Sequence, residues 1–250
     1  MASQTSTAAL AAPEIEAARN RLLAALRAEG GPERAAQEKR YHKSTWEHWG
    51  VPLPRMDAVI RATCAELSGP DRLALARSLW REPVWDLKIV AGRLLGEKSV
   101  PADENLWRFV TERMIDLDGW AVADNLAPVA SRCLIADEAR LDVVETWLTN
   151  PHLWTRRAAL VFTLPWTKGE RDPERMLGWA ARLTPDREWF IQKAIGWWLR
   201  ELSKRDARRV RRFLDEHGAT MKAFARKEAG KYLDDESFSR KRERDINSPP

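Results

Sequence analysis

Apolar residues recur along this chain at the three- and four-residue spacing that places them on one face of an α-helix. No stretch alternates apolar and polar residues as a half-buried strand does. The chain is therefore predicted to be all-α. The predicted helices cover residues 14–29, 54–68, 70–81, 84–97, 102–116, 119–134, 138–149, 151–164, 173–183, 186–203, 205–217 and 219–233.

Capping residues and glycines support this division into helices. Three pairs place a capping side chain before a proline, as at a helix start: Asn150–Pro151, Asp172–Pro173 and Thr184–Pro185. Three others are typical of helix ends: Gly30–Gly31, Gly69–Pro70 and His217–Gly218. Successive helix pairs of about 30–45 residues favour an α-solenoid of HEAT-like antiparallel helix pairs, whose concave side forms a groove for a long ligand.

The two ends of the chain lack this apolar periodicity. Residues 1–12 are small and polar, and residues 234–250 mix both charges with serine and proline. Such composition is typical of disordered segments. We therefore predict a single repeat domain over residues 13–233, with a disordered N-terminus and a disordered charged tail.

The overall charge permits an anionic partner without requiring one. The chain has 42 Lys and Arg against 37 Asp and Glu, a net charge of +5. Two cysteines, Cys64 and Cys133, cannot form a disulfide framework, which indicates a reducing compartment. There is no secretory signal, no membrane-spanning apolar run and no metal-ligand spacing of histidines and cysteines. We expect a cytoplasmic monomer that uses neither a metal nor a small-molecule cofactor.

One predicted helix face carries a single carboxylate beside an indole. Trp120, Ala123, Asp124 and Ala127 are three, four and seven residues apart, so they share this face. The alanines leave room for a ligand to lie against the carboxylate. Alternatively, Asp124 is solvated or bonded to a nearby backbone amide, and the pattern alone favours this simpler interpretation.

A second candidate surface lies on the predicted helix over 186–203. One of its faces is apolar and predicts the core: Ile191, Ala194, Ile195, Trp198 and Leu202. Another combines aromatic rings with cations, as nucleic-acid surfaces do: Phe190, Lys193, Trp197, Arg200 and Lys204. Trp198 is therefore predicted to be structural and Trp197 to be a contact residue. A solvated basic face with a partly buried indole explains the same pattern.

Further basic residues extend the candidate nucleic-acid surface. Arg156 and Arg157 follow Trp154, and either guanidinium could bind phosphate or cover the apolar side of its helix. Lys43 stands with Lys39 and Arg40 before Trp46. A last cluster comprises Arg208, Arg209, Arg211 and Arg212.

Taken in order, these residues resemble the AlkD family of bacterial DNA alkylation-repair glycosylases over residues 35–233. The resemblance depends on Trp120-x-x-x-Asp124, on Trp154-x-x-Arg157-Ala158-Ala159 and on the long segment Phe190-Ile-Gln-Lys-Ala-Ile-Gly-Trp-Trp-Leu-Arg-Glu201. Tyr41-His-Lys-Ser44 followed by Gly50-Val-Pro52 resembles the early region of that family. Ala121 and Ala123 depart from the family pattern, which enlarges the expected space around Asp124.

The resemblance implies HEAT-like repeats whose concave basic surface holds duplex DNA. It implies hydrolysis of the N-glycosidic bond of cationic N3- or N7-alkylated purines, without flipping the lesion and leaving an abasic site. By position, Asp124 would be the catalytic carboxylate, and Trp120 and Trp197 would flank the deoxyribose of the lesion. Arg157 would bind phosphate, with Arg156, Lys193, Arg200 and Lys43 as further candidate DNA contacts.

Two other functions remain compatible with the pattern. A non-catalytic protein of the same fold could bind damaged or branched DNA, although the retained Asp124, Trp120 and Trp197 argue against it. A HEAT-type protein–protein scaffold would instead have a groove of mixed or acidic charge. The residues also leave the size of the lesion open, from a methyl group to a bulky antibiotic adduct, and with it the choice between general repair and self-resistance.

Overall fold

The computed structural model describes residues 12–233. Within that range it contains thirteen α-helices and no named strand, and one isolated bridge joins Glu47 to Val84. The all-α prediction is confirmed. Residues 1–11 and 234–250, predicted to be disordered, lie outside the described residues, whereas Ala12 already belongs to the first helix.

The chain divides into two compact units after Ala136. The N-terminal unit contains seven of the helices: α1 (Ala12–Glu29), α2 (Pro32–His42), α3 (Leu53–Cys64), α4 (Gly69–Trp80), α5 (Trp85–Leu95), α6 (Glu104–Glu112) and α7 (Trp120–Ala136). A short 3-10 turn, Met114–Asp116, follows α6. Helix α5 is the centre of this unit: every one of its residues except Arg93 is buried, and it packs against α4 and α7.

The C-terminal unit contains the remaining six helices: α8 (Leu141–Thr146), α9 (Leu153–Val161), α10 (Glu174–Leu183), α11 (Trp189–Ser203), α12 (Ala207–His217) and α13 (Ala223–Ala229). Four 3-10 turns connect them: Glu138–Arg140, Trp147–Thr149, Leu164–Thr167 and Gly218–Thr220. Helix α11 is central, in contact with α9, α12 and α13. The single repeat domain over 13–233 stays a prediction.

Helix α2 lies outside the segments that the apolar pattern predicts. None of its residues is buried, so it has no apolar stripe to detect. It forms because Pro32 suits the first helical position and the following residues are mostly strong helix formers. Gly31 precedes it and donates its N–H to the Trp49 carbonyl at 2.9 Å, which joins α2 to the segment after it.

The predicted helix starts at prolines are wrong by one to several residues. The helices begin later, at Leu153, Glu174 and Trp189. The acids and amides near the prolines form local turns instead: Asn150, Asp172 and Asp186 each accept a bond from the amide two residues on, at 2.9, 3.2 and 2.9 Å. Asn150 and Asp172 are thus engaged in turns, whereas the third predicted cap, Thr184, donates its hydroxyl to the Ala181 carbonyl at 2.9 Å.

Of the predicted helix ends, Gly69–Pro70 is also wrong. Helix α4 begins at Gly69, because Ser68 and Asp71 form a reciprocal capping box across its first turn. His217–Gly218 is confirmed as the end of α12, and Gly30–Gly31 separates α1 from α2.

Two glycines allow the helices that carry candidate site residues to approach their neighbours. A Cβ at Gly92 in α5 would lie 2.9 Å from the Asn125 carbonyl of α7, and a Cβ at Gly196 in α11 would lie 2.8 Å from the Ala225 carbonyl of α13. Real Cβ atoms do not approach backbone that closely, so glycine is required at both positions. The contacts place α5 against the turn of α7 that carries Asp124, and α13 against the turn of α11 that carries Trp197.

Candidate active site and nucleic-acid interface

In the N-terminal unit, Trp120 and Asp124 are accessible side chains on an otherwise buried part of α7. Trp120 is the first residue of the helix and Asp124 lies one turn later; both are partly exposed. Ala123 is fully buried and Ala127 nearly so. The expectation that the alanines leave an open space beside the carboxylate is therefore wrong, because they are packing residues.

The backbone around Asp124 is braced from α5 and α3. Asn125 donates to the Ala121 carbonyl at 2.9 Å and accepts from Arg93 at 3.3 Å. Arg93 in turn forms a two-point ion pair with Asp57. The turn of α7 that carries Asp124 is thus held by a side-chain network in addition to the Gly92 contact.

Two aromatic rings contact Trp120. The Tyr41 ring meets it edge-on at 6.4 Å, and the His42 ring is tilted against it at 5.4 Å. His42 also stacks on Trp85 at 4.8 Å, and Trp85 stacks on His48 at 4.9 Å. We call His42, Trp85 and His48 the histidine–tryptophan stack. Such pairs, at centroid distances of about 4.5–7 Å, are favourable beyond the area that they bury.

The segment between α2 and α3 is held against α5 and α7. The Ser44 hydroxyl donates to Asp118 at 2.6 Å, just before α7. The fully buried carboxylate of Asp86 accepts from the amides of Trp49 and Val51 at 2.8 and 2.9 Å. Lys43 adopts φ +52°, the left-handed region, and is the one non-glycine residue to do so in residues 12–233.

Burial changes the protonation of several groups in this unit. Burial lowers the pKa of His42 and of the more completely buried His48, and it raises the pKa of Glu38. In each case burial penalises the charged form. Burial also lowers the pKa of Lys88 to about 8. The Lys88 ammonium donates to the Trp80 carbonyl and lies 4.9 Å from the Trp46 ring centroid.

Sequence reasoning missed the histidine–tryptophan stack. It noted Tyr41 and His42 only within the family resemblance and assigned no role to Trp85 or Lys88. A histidine at the end of a helix without an apolar stripe carries no periodic signal. The tripeptide Val84-Trp85-Asp86 gives only the start of a buried helix.

In the C-terminal unit, the tandem tryptophans of α11 separate as predicted. Trp198 is buried and donates to the Thr163 carbonyl at 3.3 Å, whereas Trp197 is partly exposed. The other predicted core residues are all buried: Ile191, Ala194, Ile195 and Leu202. Trp198 is therefore structural, and the contact role of Trp197 stays a prediction.

The cations on the outer face of α11 are partly neutralised by carboxylates. Arg200 pairs with Glu228 of α13 and with Glu201, and Lys204 pairs with Glu201 at 2.8 Å. Lys193 is exposed, and its ammonium lies 5.2 Å from the centroid of the Trp189 ring. This face is therefore less positive than its count of basic residues suggests.

The two arginines of α9 have different environments. Arg156 pairs with Asp186 at 3.0 Å and donates to the carbonyls of Asn150 and Pro151, so it joins α9 to the turn before α11. Arg157 is only 3 % exposed. Binding of a phosphate by Arg157 would require its side chain to become accessible, and the DNA-binding roles of both arginines stay predictions.

The described residues contain neither a cluster of metal ligands nor a membrane-spanning helix. No group of three or more histidine, cysteine, aspartate or glutamate side chains within residues 12–233 could hold a metal ion. No helix in that same range is both long and apolar enough to cross a membrane.

The fold defines the class of protein: an all-helical protein similar to solved AlkD-type helical-repeat structures. A family model described as DNA alkylation repair enzyme matches residues 22–233. The chain belongs to this family, which confirms the resemblance seen in its motifs. No curated protein matches the chain.

Three solved structures share the fold. A predicted DNA alkylation repair enzyme from Enterococcus faecalis superposes with a TM-score of 0.71 at 21% identity, covering 83% of this chain and 98% of its own. AlkD2 from Streptococcus mutans has a TM-score of 0.54 at 21% identity, covering 81% and 98%. The protein smu.31 from Streptococcus mutans UA159 has a TM-score of 0.56 at 21% identity, covering 73% and 93%.

Proposed function

We propose that this DNA alkylation repair enzyme is a monofunctional, monomeric DNA glycosylase that releases cationic N3- or N7-alkylated purines from duplex DNA and leaves an abasic site. The observation that carries the proposal is the pair Trp120 and Asp124, accessible on a helix turn whose neighbours Ala121, Val122 and Ala123 are buried. A carboxylate and an indole held on a rigid helix form a preorganised site for a cation.

The chemistry requires little more than such a site. An N3- or N7-alkylpurine already carries positive charge, so its base leaves without protonation by a general acid. The developing charge is on the sugar, which becomes oxocarbenium-like as the N-glycosidic bond breaks. We propose that Asp124 stabilises this cation and orients the attacking water; one such group contributes about 3–4 kcal/mol to lowering the barrier.

The indoles supply the second component. A cation over an indole face is stabilised by about 0.5–2 kcal/mol. We assign Trp120 and Trp197 to the deoxyribose of the lesion, in accord with the family resemblance, and we propose that the base is not flipped into a pocket. The edge-on contact of Tyr41 and the tilted contact of His42 with Trp120 support this role, because a ring that is already fixed loses little freedom when substrate binds.

Contacts to the DNA backbone are assigned to the exposed cations. Lys43 and Lys193 are both exposed, at the end of α2 and on the outer face of α11. Arg200 and Arg156 must exchange their carboxylate partners for phosphate before they can bind DNA. Arg157 must first become accessible, because it is buried. Counterion release then makes the affinity fall with salt concentration.

The direct test is release of 7-methylguanine, of 3-methyladenine and of a bulky N7 adduct from alkylated duplex DNA. We expect Asp124→Asn to lower the single-turnover rate by about 100- to 1000-fold, the equivalent of about 3–4 kcal/mol, while binding to undamaged duplex is retained. Asp215→Asn, at an exposed carboxylate on α12, is the matched control and should be unaffected.

Two other outcomes would contradict the glycosylase proposal. If the wild-type protein releases none of these bases but binds damaged or branched duplex, it is a non-catalytic binder. If it also fails to bind duplex DNA at low salt, a protein–protein scaffold replaces the enzyme proposal.

A further inference from the structure

The ring of Trp120 has a fixed support on the side of α2. The His42 centroid lies 5.4 Å from the indole with a 48° angle between the planes, and Tyr41 meets the indole edge-on. His42 also stacks on Trp85, with an angle of 29° between the two ring planes. His42 is the ring that touches both the buried indole of α5 and the accessible indole of α7.

Trp85, the ring on which His42 stacks, belongs to the core. Trp85 is 5 % exposed, and its amide donates to the Glu47 carbonyl at 2.8 Å. The bond from Ser44 to Asp118 ties the segment after His42 to the turn before Trp120. Rotation of Trp120 therefore requires either displacement of His42 from Trp85 or loss of the contact between His42 and Trp120.

We propose that His42 is a positioning residue of the reaction, whose imidazole ring, stacked on Trp85, holds the Trp120 ring in the orientation that receives the sugar cation. This inference rests on the glycosylase proposal above. His42 is assigned no contact with the substrate; its effect passes through Trp120.

The neutral state of the ring matters because the reaction centre must attract a cation. An imidazolium beside Trp120 would place positive charge next to the indole face that the sugar cation needs. Burial lowers the pKa of His42 and keeps the ring neutral at neutral pH, and the nearby Asp118 carboxylate opposes this effect. The charged or titratable residues around His42 are Asp118 just before α7, Tyr41 on α2 and His48 in the following segment, and His48 is in turn influenced by Lys39 of α2 and Asp86 of α5.

The first test separates positioning from binding. We expect His42→Ala to lower the single-turnover rate of base release by about tenfold or more, while the dissociation constant for alkylated duplex changes by less than about twofold. His42→Phe keeps a flat ring and should restore most of the rate at neutral pH. His217→Phe removes a histidine that contacts Phe213 in the C-terminal unit, and as the matched control it should have no effect.

The second test uses pH. Burial lowers the pKa of His42 from its ordinary value of about 6.5, so the wild-type rate should fall below that pH as His42 becomes protonated, whereas His42→Phe should lose that part of the decline. Any one of three results would overturn the positioning proposal. His42→Ala could be as fast as wild type, or His42→Phe could be as slow as His42→Ala. The third is that the rate declines identically at acid pH in wild type and in His42→Phe.

A third measurement does not depend on glycosylase activity. The indole N–H resonance of Trp120, identified by its loss in Trp120→Phe, should shift with the protonation of His42, and this titration should vanish in His42→Phe. If the wild-type protein releases no base but the resonance titrates, the glycosylase proposal fails and the His42–Trp120 coupling stands. If the resonance does not titrate, the positioning proposal fails by itself.

Discussion

The two candidate indoles lie in environments of different chemistry. Trp120, in the N-terminal unit, is in contact with a stack that contains two histidines, and buried charged or titratable residues are concentrated there: His48, Asp71, Arg72, Asp86 and Lys88. Among the described residues of the C-terminal unit, the buried charged residue is Arg157. Two cations near Trp197, Arg200 and Lys204, are paired with carboxylates.

This difference separates two kinds of sensitivity. Buried titratable groups respond to pH, because protonation changes a charge that water does not screen. Exposed ion pairs respond to salt, because ions screen them and compete with phosphate. We therefore expect the pH dependence of the protein to come mainly from the N-terminal unit, and the salt dependence of DNA binding to come largely from exchangeable pairs in the C-terminal unit.

The largest expected effects come from the two close helix approaches. Gly92→Ala and Gly196→Ala should each lower the free energy of unfolding by about 1–3 kcal/mol, because a Cβ would press on the backbone of the facing helix. Gly178→Ala, where nothing lies within 4 Å, should instead stabilise α10 by about 0.5–1 kcal/mol. Urea unfolding measures all three.

The same glycine variants also test whether the two units contribute differently to base release and to DNA binding. Gly92→Ala displaces α7 beside Asp124 and should reduce base release more than DNA binding, whereas Gly196→Ala displaces α11 beside Trp197 and should reduce binding as well. Equal effects of both variants on both measurements would contradict the division of roles.

The next effect concerns how the free energy of unfolding depends on pH. The unfolded chain holds the Lys88 proton up to a pKa of about 10.4, whereas burial lowers the folded pKa to about 8. Between these values the unfolded chain binds more protons, so the free energy of unfolding rises with pH, by about 1–3 kcal/mol from this group. Lys88→Met should remove that rise, and Lys193→Met, at an exposed lysine of the C-terminal unit, should retain it. Parallel curves for wild type and Lys88→Met would refute the assignment.

A smaller effect is expected at the carboxylate that pairs with Arg200. Glu228→Gln should free the guanidinium for phosphate, tighten binding to duplex DNA severalfold and steepen the log–log salt dependence by about 0.9. Glu216→Gln, at an exposed glutamate of α12, changes the net charge equally and controls for it. If both variants bind alike, only net charge matters and Arg200 is not a specific contact.

The smallest effect concerns Lys43 and its left-handed backbone. Lys43→Gly should relieve this conformation and raise the free energy of unfolding by about 0.5–1 kcal/mol, while removal of the cation reduces the salt dependence of DNA binding. Lys39→Gly, within α2, should lower stability by about 1 kcal/mol instead. A loss of stability in Lys43→Gly would show that the lysine side chain outweighs the backbone strain.

The parts of the fold and site that sequence predicted correctly are those with a local signal. The apolar stripe of α11 placed Trp198 in the core and left Trp197 accessible, because burial follows the helical period. Helix α2, by contrast, has no buried residue and therefore no period to detect. The small side chains of Ala123 and Ala127 indicated open space, but small residues serve equally for close packing, and these are packed.

The sequence by itself determined the all-α class, the faces of most helices and the order of the family motifs, since each depends on residues within a few turns of one another. Only the tertiary structure decided what lies opposite those faces. His42 meets Trp85 and Trp120, and Arg200 meets Glu228, through contacts between residues far apart in the chain. Trp120 is thus an indole supported by His42, and Asp124 lies on a helix turn held by Asn125 and Gly92, because packing fixes the neighbours that periodicity leaves unspecified.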